Sequence, residues 1–162
     1  MVNFKAVNLK TIAMESIRQR PKGNYLWKAE WSQLYLLAEH WKSDLEFYKG
    51  DLTFLHHLIE KYFIWIINKQ NTEEVKTIAH KLYKLKEEVK ELLKRVDKHL
   101  THLSALSKDP FTYDSDLFRK EHETLEDDIV DFVKNFRSNR METFKITEHV
   151  VELEKLEHLL TN

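Results

Sequence analysis

The chain has 162 residues, 42% apolar and 33% charged, the composition of one ordinary globular domain with enough apolar side chain to build a core. It has no cysteine, which excludes disulfides and thiolate metal centres, and only two glycines and two prolines, which argues for long helices joined by few turns. A formal charge of −1 gives no bulk preference for nucleic acid, and the longest apolar run, Tyr62 to Ile67, is far short of the ~20 residues that span a bilayer.

No apolar leader segment is visible at the start, so the expected location is cytoplasmic. Residues 1–27 read as a basic arm and residues 28–162 as a single-domain helical bundle. Through residue 28 the arm carries Lys5, Lys10, Arg18, Arg20, Lys22 and Lys28 against Glu15 alone, so it holds +5 and leaves −6 for the rest. Such an arm can meet phosphates, headgroups or an acidic partner; the favoured reading is that it docks on the acidic surface of its own chain. Residues 5–20 have the composition for a short N-terminal fourth helix, set apart by Pro21 and Gly23.

The first long helix is expected over about 28–69. Trp31, Leu34, Ala38, Trp41, Leu45, Tyr48, Leu52, Leu55, Ile59, Tyr62 and Ile66 recur in alternating steps of three and four, the stripe of a bundle helix. Gly50 lies inside it at a cost of about 1 kcal/mol relative to Ala. Asn71 with Glu74 reads as a capping box for a second helix over about 72–107. Its stripe is Val75, Ile78, Leu82, Leu85, Val89, Leu92, Val96, His99, Leu103 and Leu106. Pro110 breaks it, and Asp114 or Ser115 caps a third helix over about 115–160. That stripe runs Phe118, His122, Leu125, Ile129, Phe132 and Phe136, blurs at 137–140 as at a kink, and resumes with Phe144, Val150, Leu153, Leu156 and Leu160. Short loops make neighbouring helices antiparallel. The fold expected is all-α, an elongated antiparallel up-down-up bundle of three long helices.

Turning the chain back near residue 110 sets Lys90, Lys94, Arg95 and Lys98 opposite the acidic run Glu123, Glu126, Asp127, Asp128 and Asp131, the arrangement by which flanking charges choose register. The third helix then outruns its partners. Residues 150–160 carry an apolar stripe that calls for a partner, either the same element of a second chain, making a homo-oligomer, or the helix's own fold-back after Arg140. Another protein partner would also fit.

The same register makes His99 level with His122. His40 and Asp44 fall near that level on the first helix, and Glu126 lies one turn beyond His122. His40, Asp44, His99, His122 and Glu126 are therefore the candidate metal ligands, with Glu39 and His102 at the margin, because imidazole and carboxylate together suit Fe, Mn or Zn. The favoured alternative is a buried polar layer that fixes register. His56–Glu60 and His122–Asp127 have the spacings of hemerythrin-like bundles, which this chain distantly resembles. The resemblance implies a His and carboxylate site in redox, oxygen or metal handling. It departs from that pattern at His99–His102, one residue short, and the paired Glu-x2-His motifs of ferritin-like bundles are absent. With glycine only at positions 23 and 50, no phosphate-cradling loop can form. No nucleophile elbow or His-Glu-x2-His motif is present. The leading expectation is a non-enzymatic interaction or structural protein that self-associates.

Overall fold

The computed structural model describes residues 17–18, 20–21, 23–67 and 72–160. Among them the helices are, in chain order, α1 Tyr25–Lys28, α2 Trp31–Ile67, α3 Thr72–Lys108 and α4 Ser115–Leu160, with no strand. The three long helices pack against each other and α1 is a single short turn before them. The all-α bundle expected from the stripes is thus the observed fold, and each long helix starts and stops within about three residues of the expected bounds. The proposed helix over 5–20 and the Asn71 cap lie outside the described residues, apart from a few positions next to Pro21.

Local chemistry explains the boundaries. Gly23 has φ +82°, a left-handed backbone that glycine adopts without strain, and it turns the chain into α1. Asp109 ends the turn after α3, accepting the Phe111 N–H on its carboxylate at 3.1 Å. Asp114 is the cap of α4, since its Oδ1 accepts the Leu117 N–H at 2.8 Å. Gly50 sits in mid-helix, where an added Cβ would meet nothing within 4 Å.

The chain divides into two compact units, 1–45 with 91–133, and 46–90 with 134–162. In the first, Leu34, Ala38, Leu45, Val96, Leu103, Leu106, Phe118 and Phe132 are buried almost completely. His99 against His122 and Arg95 against Asp128 show α3 and α4 running antiparallel there. In the second unit, Leu52, Leu55, Val75, Ile78, Leu82 and Val89 form the core with Phe136, Ile146 and Val150. Tyr48 packs on Phe136 at 4.7 Å, and Arg140 reaches Asp51 at 3.0 Å.

Two details of α4 correct the expectation. The helix runs unbroken through 137–140, so there is no fold-back after Arg140. The core phase continues through Asn139 and Thr143, which are buried, while Phe144 is 37% exposed. Thr143 and Thr147 satisfy their hydroxyls on the carbonyls four residues back, at 2.8 and 2.7 Å, so these polar residues fit a buried helical face. The apolar extension also begins later than residue 150: Val150 is core, whereas Leu159 and Leu160 are 77% and 85% exposed.

Candidate functional site

The first unit contains a buried polar layer. His99 projects from α3 because it takes a core step between Val96 and Leu103. His122 does the same on α4, between Phe118 and Leu125. Their ring nitrogens, His99 Nε2 and His122 Nδ1, lie 2.8 Å apart. One donates and the other accepts, so the two imidazoles hold complementary tautomers. Aromatic rings enclose them. Phe118 stacks flat on His99 at 4.6 Å and 10°, and Trp41 lies on His122 at 4.5 Å. His102, half-buried one turn after His99, meets Tyr113 and Phe118 edge-on instead of joining the pair.

This environment keeps both rings uncharged. Burial pushes His99 down to about 4, with His102 adding to the effect. Burial pushes His122 further, to about 3, helped by His99, Arg20 and Arg119. A neutral imidazole pair has lone pairs to offer, and Nε2 of His122 is buried without a hydrogen-bond partner among the described residues.

Next to the pair, Glu126 is 1% exposed and its carboxylate is taken. Arg18 Nη1 donates to Oε1 at 2.5 Å, and Arg20 Nε donates to both oxygens at 2.9 Å. Arg18 Nη2 also reaches Asp127 at 2.6 Å. Nearby, Arg119 Nη1 donates to the carbonyls of Leu26 and Ala29, and its guanidinium stacks on Trp31 at 4.5 Å. Of the basic arm, the described residues Arg18 and Arg20 thus dock on the acidic helix α4, and Arg119 fastens the α1 turn behind them.

The expected ligands are only partly gathered. His99 and His122 meet as their register required. Glu126 lies one turn on, held by two arginines. His40 is exposed and Asp44 half-buried, and among the described residues no three His, Asp or Glu side chains are grouped so as to hold a metal ion. The charges expected to face each other across α3 and α4 divide between cross-helix and same-helix partners. Arg95 bridges to Asp128 at 2.6 Å, but Lys90 turns to Glu87 and Lys94 to Glu91 on its own helix. His56 pairs with its neighbour Glu60 at 3.2 Å.

Residues the stripes did not single out complete the site: Arg18, Arg20 and Arg119, beside the stripe residue Trp41. The excess of arm charge was the only sequence signal for Arg18 and Arg20, and Arg119 had none. No family model, curated protein or solved structure matches the chain.

Proposed function

We propose that the chain is a non-enzymatic helical-bundle interaction protein that self-associates through the end of α4. The observation that carries this reading is the exposure of Leu159 and Leu160, 77% and 85%, on a helix whose apolar face is core as far as Val150. Apolar side chains continued past the core of their own chain are what a helix offers to a partner helix, and a second copy supplies the same stripe. The buried titratable groups support a structural role for the layer. The two imidazoles are bonded to each other, and the Glu126 carboxylate is neutralised by Arg18 and Arg20. Closed polar layers of this kind fix register in bundles.

Sedimentation velocity on the full chain tests the proposal, with a Leu159→Glu, Leu160→Glu variant as control. A wild-type dimer at micromolar concentration and a monomeric variant are expected. A monomeric wild type, or a dimer indifferent to the substitutions, overturns it. Plasma mass spectrometry on tag-free protein tests the layer. About one equivalent of iron, manganese or zinc per chain, lost in a His99→Ala, His122→Ala variant, would replace the structural reading with the metal-protein one.

A further inference from the structure

We propose that the groove between α3 and α4 in the second unit binds a small neutral molecule through Asn139, by an amide-like edge that sets a hydrogen-bond donor beside an acceptor. The inference does not depend on self-association.

Asn139 stands on α4 at a core step, between Phe136 and Thr143, and is 2% exposed. Both polar atoms of its amide, Nδ2 and Oδ1, lack a hydrogen-bond partner among the described residues. Its backbone carbonyl accepts the Thr143 hydroxyl, so only the side chain is unmet. Buried polar groups are nearly always paired, and each unmet one costs roughly 1–3 kcal/mol. Thr143 and Thr147, the other buried polar residues on this stretch of α4, close their hydroxyls on the helix backbone. Asn139 is the exception, and it lines a groove of about 280 Å³.

The groove's chemistry restricts what would meet that amide. Its volume lies at the small end of ligand pockets, room for a single ring with a substituent. Lys81 and Lys84 balance Glu88 and Glu142, and Lys81 is already bonded to Glu142 at 2.8 Å. With no net charge in the lining, neither an anion nor a cation is favoured. Leu85 supplies apolar surface for a ring, and Ser138 a further hydroxyl. The terminal torsion of an asparagine is soft, so the amide can turn its edge to the groove when a partner arrives. A carboxamide presents the matching pair of groups, and so does the amino edge of a purine.

The test uses the full chain, labelled with nitrogen-15 and titrated separately with nicotinamide and with adenine. The Asn139 side-chain NH2 signals are assigned by their loss in Asn139→Leu. A saturable shift of those signals with at least one probe is expected. The two probes tell a carboxamide preference from a purine one. Asn139→Leu and Asn139→Ala should each weaken binding by roughly tenfold or more, as the loss of a hydrogen-bonded pair requires. Shifts that never saturate, or binding equally strong in both variants, overturn the proposal.

Discussion

Acid should loosen this protein through two histidines, and the size of the effect follows from their burial. His122 and His99 are 0% and 8% exposed and held neutral at about 3 and about 4. Unfolded, each would titrate near its ordinary value of about 6.5. A depressed base means that the folded chain binds fewer protons than the unfolded chain. Stability is therefore intact above about pH 6.5 and falls as the pH drops below it, levelling off only under the folded values. At about pH 5 the unfolded state carries nearly both protons and the folded state almost none, which costs about 2 kcal/mol per ring, or about 4 together. That is a large part of a typical folding stability of about 5–15 kcal/mol.

Burial sets the direction of the effect, and the charges around the pair reinforce it. Arg20 and Arg119 oppose protonation of His122, and Glu126, the nearby acid, is engaged by Arg18 and Arg20. Urea unfolding of wild type and of a His99→Leu, His122→Leu variant, between about pH 7 and pH 5, is the assay; the variant substitutes apolar side chains for the pair and leaves every other titrating group in place. The wild type should lose about 4 kcal/mol more than the variant across that range. Equal losses would refute the reasoning, because the rings would then be reaching protons in the folded state.

Two further outcomes follow. Glu126→Gln removes the charge that Arg18 and Arg20 share, so trypsin should cut after Arg18 faster than in wild type, by at least roughly tenfold if docking is worth 1.4 kcal/mol or more (Arg20 precedes Pro21 and is not a tryptic site); unchanged cleavage would show that Arg18 is held by other contacts. Gly50→Ala adds a Cβ to open space in a helix interior, so the chain should gain up to about 1 kcal/mol and roughly 2–4 °C in melting temperature. A lower midpoint would mean that the space beside Gly50 is filled in solution.

What the sequence made legible was axial position. Helical stripes and a short loop fix which residues stand level, and His99 meets His122 for that reason. Direction around the axis was harder. His40 is close to the right level, but it adjoins Trp41, which holds the core direction, and one residue along a helix is a turn of about 100°. It accordingly faces solvent. Pairing of charges was legible only in sum. The +5 arm favoured docking on the chain's own acid, but nothing local identified Glu126 as the target of Arg18 and Arg20, and several lysines took nearer partners three residues away on the same helix. Asn139 was missed for a different reason. Apolar residues were used to follow the phase of α4, and where Asn139 and Thr143 occupy two successive core steps the phase vanished from view. Stepping by three and four regardless of polarity leads from Phe136 through Asn139, Thr143 and Ile146 to Val150, all of them buried.

The two polar insertions in the core differ in a way that bears on function. In the first unit the demand is almost entirely met, by imidazole on imidazole and arginine on carboxylate, and among the described residues Nε2 of His122 is left over. On the proposed reading such a layer makes one register better than its neighbours, because a shift would part the imidazole pair and leave buried polar groups unmet. In the second unit Asn139 offers a donor and an acceptor that none of the described residues receives, beside a groove. An unmet amide adds no preference for register, since a shift would strand nothing that is not already stranded. A leucine there would serve the core as well or better. On the proposed reading the histidine layer serves folding, while Asn139 does not, and the amide is where we propose that a ligand binds.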